Sequence, residues 1–218
     1  MDFIFEQLRI GGERNFGYLL GDRRAGVCVL IDPAFSPEMA VERAKAQSLK
    51  VSHIVNTHGH ADHINGNAKA RELTGAPVAG FAGSAEIKPE APLKDGATLA
   101  VGQFTLRFLH TPGHCEDHLV IALQEPPVAV TGDLLFVGKV GGTGSDEAAR
   151  AEWHSLQRVL KELPDETTIW PGHDYGCRPS STIGLEKRTN PFLLCKNVDE
   201  FIRFKAEWSG FKAQHGLR

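Results

Sequence analysis

Residues 57 to 63 read THGHADH, which places three histidines and an aspartate within seven positions. A helix displaying these side chains on one face would space them three or four apart. His58 and His60 are instead two apart, and Asp62 and His63 are adjacent. That spacing suits a loop whose backbone bends around a point, as a bound cation requires. The preceding stretch, VSHIVNT (51–57), is largely apolar and β-branched, and it predicts a buried strand. The histidines therefore fall at the carboxyl end of a strand, where α/β folds carry their chemistry.

Outward from this loop, strand and helix signals alternate. FIFEQLRI (3–10) and NFGYLLGD (15–22) predict a strand pair joined by the turn GGER, and VCVLIDP (27–33) predicts a buried strand running into a loop. Ser36 as a cap, Pro37 and Glu38 predict a helix over 36–48. A second helix is expected over 63–74, ending before Gly75, followed by a strand at PVAG (77–80) and an exposed loop at AEIKPEAPLKDG (85–96). Strands are expected at FTLRFLH (104–110), HLVIAL (118–123), PPVAVTG (126–132) and TTIWPGH (167–173). Helices are expected over 146–163 and 197–208. The pattern implies a layered α/β protein whose sheet is at least partly antiparallel.

Composition narrows the class. The chain has 218 residues, 41% of them hydrophobic, and a formal net charge of -3, as in an ordinary soluble globular protein. No basic stripe offers nucleic acid a surface, and runs such as VCVLI are far too short to cross a bilayer. The start, MDFIFEQLRIGGERN, lacks a basic segment followed by a long apolar one, so no signal peptide is expected. Cys28, Cys115, Cys177 and Cys195 show no CxxC pairing, and free thiols in a reducing cytoplasm are expected.

The remaining acceptors recur at other predicted strand ends. TPGH places His114 after one strand, TGD places Asp133 after another, and PGHDY places His173 and Tyr175 after a third. Taken together, THGHADH, TPGH, TGD and PGHDY resemble the metallo-beta-lactamase superfamily over about residues 15–192. The resemblance implies a four-layer αββα sandwich, here a single domain over 1–218 with a short helical extension at about 193–218. It further implies a first metal held by His58, His60 and His114, a second held by Asp62, His63 and His173, and Asp133 bridging the two. Two divalent ions are expected, zinc first, with a single iron(II) or a mixed zinc–iron site as the alternative. Imidazole and carboxylate suit both metals, and the lack of a thiolate cluster argues against a closed structural site.

Two branches of the family compete. Glyoxalase II enzymes hydrolyse glutathione thioesters at two metals, and persulfide dioxygenases oxidise glutathione persulfide at one iron, for which His58, His114 and Asp133 are the matching residues. GHDYGCRPSSTIGLEKRTNPFL (172–193) resembles the dioxygenase ending, and the stretch after His173 is shorter than glyoxalase II usually carries. After TGDLLFVG both branches typically read Gly-Cys-Gly and a basic residue, whereas this chain reads KVGGTGS (139–145). The expectation is a metal-dependent hydrolase of a thioester or ester, with the dioxygenase as alternative and a β-lactamase-like endoribonuclease third. Asp62 and Tyr175 are the expected catalytic residues. Tyr175, Arg178 and Arg188 are the expected substrate contacts, with Lys139 and Lys187 as further cations. The partner is expected to be a small molecule, with glutathione derivatives as candidates, and neither nucleic acid nor membrane; a homodimer is the assembly considered. Asp32 at the end of its strand is expected either to orient a metal-bound histidine or to cap its own turn. His118 is expected behind the ligands, Cys115 as an inert thiol, and His53, His110, His154 and His215 as packing or surface residues.

Overall fold

The structure, a computed structural model, describes residues 2–215. Its first half runs β1 (Phe3–Gly11), β2 (Asn15–Asp22), β3 (Val27–Ile31), α1 (Pro37–Ala46), β4 (Lys50–Val55), α2 (Ala61–Ile64), α3 (Asn67–Thr74), β5 (Val78–Phe81) and β6 (Ala91–Leu93). The second half runs β7 (Thr98–Val101), β8 (Phe104–His110), β9 (Leu119–Leu123), β10 (Val128–Gly132), β11 (Leu135–Phe136), β12 (Lys139–Val140), α4 (Asp146–Glu162), β13 (Thr168–Pro171), β14 (Ser181–Thr182), α5 (Ile183–Thr189) and α6 (Val198–Gln214). Two mixed six-stranded sheets result, ordered β1-β2-β3-β4-β5-β6 and β14-β13-β10-β9-β8-β7.

Alternation along the strands assembles the layers. Phe16, Tyr18 and Leu20 of β2, Val29 and Ile31 of β3, and Leu106 and Phe108 of β8 point into one apolar layer between the sheets. Their neighbours Leu19, Cys28 and Leu30 point the other way, onto Ala40, Val41 and Ala44 of α1 and Ala70 of α3. Across the molecule, Val120, Ala122 and Ala129 meet Ala149, Leu156 and Val159 of α4 and Phe201 of α6. Because β3 and β9 are covered on both faces, they read as unbroken apolar runs. The expected layering of helix, sheet, sheet and helix is therefore present. No described helix is long and apolar enough to cross a membrane.

Several local expectations are corrected. The helix expected over 63–74 is two helices. Gly66 lies so close to the backbone of Ala34 that any Cβ would strike its carbonyl oxygen, and the chain re-forms as α3 only beyond it. Ser36 precedes α1 but does not cap it, since its hydroxyl donates to Ile10 O at 3.0 Å. The segment expected as an exposed loop over 85–96 contains β6, an edge strand parallel to β5, in which Pro92 is tolerated as edge strands allow. The strand β7, the β11–β12 hairpin and α5 are additions to the sequence reading, and α6 runs six residues past 208.

Candidate metal centre

Four strand ends converge above the space between the sheets. The loop after β4 brings His58 and His60, and α2 brings Asp62 and His63. The segment after β8 brings His114, the turn after β10 brings Asp133, and the turn after β13 brings His173. All seven sequence-predicted acceptors meet. Ligating atoms lie within 4.8 Å of one another in each of three groups: His58, His60 and His114; His58, His63 and Asp133; Asp62, His63 and His173. Asp133 stands between the outer two. Its Oδ1 is 3.6 Å from His63 Nε2, and its Oδ2 is 3.6 Å from His114 Nε2 and 3.3 Å from His173 Nε2. Asp62 Oδ2 lies 3.4 Å from His173 Nε2 and 3.7 Å from His63 Nε2. The approach is tight enough that a Cβ at Gly172 would run into Asp133 Oδ1, so only glycine serves beside His173.

Outward hydrogen bonds fix what each ring offers inward. His114 Nδ1 donates to Gly142 O at 2.8 Å, and His173 Nδ1 donates to Glu13 O at 3.1 Å. Thr57 Oγ1 donates to Asp32 Oδ2 at 2.6 Å, so it can only accept from His58 Nδ1, 3.0 Å away. In their neutral forms these three imidazoles therefore present Nε2 lone pairs to the centre. Both His58 Nε2 and His114 Nε2 lie 3.0 Å from His60 Nδ1, where a single proton satisfies at most one of them. Asp133 Oδ1 is buried with no hydrogen-bond partner. Converging lone pairs and an orphaned carboxylate oxygen are what a cation would neutralise, so the donor set fits one.

Electrostatics agree. Burial, and then the neighbouring rings of His63 and His118, holds His58 well below the ordinary histidine range. Burial also lowers His114 and His118, the latter to about 3. At His63 burial acts in the same direction, but the hydrogen bond to Asp32 at 3.0 Å and the charges of Asp32, Asp133 and Asp62 prevail and raise it to about 9. At Asp133 burial works against ionisation, yet His173, His63 and His114 pull it down to about 2. Asp133 is thus a permanent anion, with His58 and His114 held neutral by burial and with His63 and His173 raised by their carboxylate neighbours against burial, so a cation would take the place of those protons.

The supporting residues follow the same logic. Asp32 takes up the first of its expected roles, orienting His63, while the backbone it holds, Thr57 N at 2.9 Å, belongs to the loop after β4 and not to its own turn. His118 Nε2 accepts from Asp133 N at 3.1 Å, behind the acceptors as expected. Asn15, absent from the sequence reading, donates to Asp62 Oδ2 at 3.0 Å and to Asp62 O at 3.2 Å. No spacing tied Asn15 to Asp62 across 47 positions; only its place beside a predicted turn hinted at it. Cys115 is held protonated by burial and by Asp117, in keeping with an inert thiol. Tyr175 stacks on His173 with centroids 4.6 Å apart at 7°. Burial and the charge of Asp133 push its hydroxyl up to about 12. Arg14 and Lys139 stand 5.0 and 6.0 Å from its ring centroid. Arg178 reaches Ser181 Oγ at 3.2 Å, and Arg188 is exposed in the last turn of α5.

Comparison with known proteins gives the same outline. The chain is 35% identical over 173 residues to hydroxyacylglutathione hydrolase of Rhodospirillum rubrum, covering 78% of this chain and 66% of that protein. It is 32% identical over 192 residues to the mitochondrial persulfide dioxygenase ETHE1 of Homo sapiens, covering 87% of this chain and 75% of that one. The crystal structure of ETHE1 from Myxococcus xanthus superposes with a TM-score of 0.86 at 36% identity, covering 94% of this chain and 91% of the other. The pattern of the metallo-beta-lactamase superfamily matches residues 11–173, from the first hairpin to the last histidine of the cluster, and the chain belongs to that superfamily.

Proposed function

We propose that the chain is a metal-dependent hydrolase of a small thioester or ester, similar in action to glyoxalase II, working with two divalent cations, zinc first. His58, His60 and His114 would hold one ion and Asp62, His63 and His173 the other, with Asp133 shared. When bound, such a pair lowers the pKa of water towards neutrality and polarises an acyl oxygen. Asp62, half-exposed and held by Asn15, orients the attacking water as a hydrogen-bond acceptor. Tyr175 keeps its proton at neutral pH and donates it in a hydrogen bond to a substrate oxygen. Arg14 and Lys139 beside it meet an anionic group on the substrate.

One observation carries this reading: the second group of acceptors is as carefully oriented as the first. Asp32 holds His63, Glu13 O holds His173 and Asn15 holds Asp62. Persulfide dioxygenases retain these positions too, so the support lies in how the second frame is oriented, and it is tested by whether His63 is needed for activity. A second reading, the one-iron persulfide dioxygenase, is favoured by the extent of the match to the Myxococcus xanthus ETHE1 structure. Parallel assays of metal-loaded protein decide between the two. Cleavage of S-lactoylglutathione, lost to a similar degree in His58→Ala and His63→Ala, supports the hydrolase. Oxygen uptake on glutathione persulfide, with His63→Ala much milder than His58→Ala, overturns it.

A further inference from the structure

Far along the chain, α6 places Lys205 against Glu152 of α4, with the glutamate side chain fully buried and the lysine nearly so. Burial pushes the carboxyl up and the ammonium down despite their pairing. An ion pair held in such a place is a poor device for stability, because desolvating both charges offsets their attraction. Its contacts point to a geometric role instead. Lys205 Nζ also donates to Gly141 O at 2.6 Å. The next carbonyl, Gly142 O, is the acceptor that fixes the His114 ring. Gly141 itself is wedged against Asp133 O and the His114 imidazole, where any Cβ would collide. On the other side, Gly113 packs directly on the backbone of Glu152, and Ser155 Oγ donates to Pro112 O at 2.7 Å.

We infer that Lys205 is a positioning residue for the His114 side of the metal centre, acting from α6 through the backbone at 141–142 while Glu152 holds its ammonium in place. The loop bearing His114 rests on α4, and the residue next to the carbonyl that orients its ring is tied to α6 through Gly141 O, so the pair sets where that Nε2 points. This rests on the metal-centre reading above. Groups that orient a ligand from behind typically change metal affinity by about 10- to 100-fold.

The test is a cobalt(II) titration of full-length protein, followed by visible absorption, for wild type, Lys205→Met, Lys205→Arg and the double variant Glu152→Gln/Lys205→Met. The double variant removes both buried charges together and so guards against loss of folding from an unpaired carboxylate. The inference expects two cobalt ions on wild type. In Lys205→Met and the double variant, affinity for one ion falls about tenfold with an altered spectrum, and Lys205→Arg recovers most of it. Repeating the titration in a His173→Ala background shows the affected ion to be the one beside His114. Wild-type affinities and spectrum in the double variant would overturn the inference. So would an equal weakening of both ions alongside a lowered Tm, or failure of the double variant to fold, since the pair would then serve the fold alone. Absence of cobalt from wild type would instead remove the metal-centre reading on which the inference stands.

Discussion

Asp32 accepts from Thr57 N at 2.9 Å and Thr57 Oγ1 at 2.6 Å while facing His63 Nδ1 at 3.0 Å, so one carboxylate serves a turn and a ring at once. Its backbone lies in the left-handed region, with φ of 45°, which aspartate and asparagine tolerate better than most residues. Asp32→Asn should therefore keep the turn. An amide can still accept a hydrogen bond, but it lacks the charge that makes His63 basic. Affinity for the ion held by His63 should fall about 10- to 100-fold, read by competition with a chromogenic chelator. Unchanged affinity would mean that His63 is oriented by packing alone. Of the two roles expected for Asp32, the structure shows the orienting of a histidine; the turn it holds lies after β4 rather than after its own strand, and only the fold brings that turn and the ring to the same side chain.

At the scale of elements, the parts legible in the sequence were those with a strong periodic or apolar signature. VCVLI and LVIAL, covered on both faces, became β3 and β9. The 17-residue α4 was readable because its apolar stripe is broad and Ser145 stands at its start, where Oγ accepts from Ala148 N. Among the strands of two to four residues, β5 and β13 were readable, whereas β6, β7, β11, β12 and β14 were not, since these owe their pairing to their neighbours in the sheet rather than to their own composition. The break at Gly66 was hidden for the same reason, because the obstacle is the backbone of Ala34. Among the site residues, acceptors that follow a strand were visible, while Asn15, which acts from behind, carried no motif, and the supporting role of Thr57 did not show from its place at the head of THGHADH. Capping makes one expectation at this scale. Ser145→Ala should lower stability by about 1 kcal/mol in chemical denaturation, with its effect on α4 and the adjoining loop. A loss near zero would mean that the first turn of α4 is held by packing alone.

For the molecule as a whole, two sheets pressed over one apolar layer hold the strand ends in register, and the price of gathering so many imidazoles shows in its response to pH. In the metal-free chain His63 and His173 are raised above the ordinary value of about 6.5, His63 to about 9. Their protonated forms favour the fold. That contribution is complete below about pH 6.5 and is lost as pH rises through the raised values. His58, His114 and His118 are depressed and weaken the fold only as pH falls below about 6.5. Metal-free stability should accordingly decline between about pH 6.5 and 9, and bound cations should flatten that decline by taking the proton's place. A metal-free Tm that rises across the same window would contradict the assignment of His63.

Acceptors scattered from position 58 to 173 are assigned here to one centre for two cations. Native mass spectrometry of the full-length chain saturated with zinc tests that assignment most directly. Two zinc ions per chain is the predicted result, and a chain that carries one ion or none at saturation would contradict it.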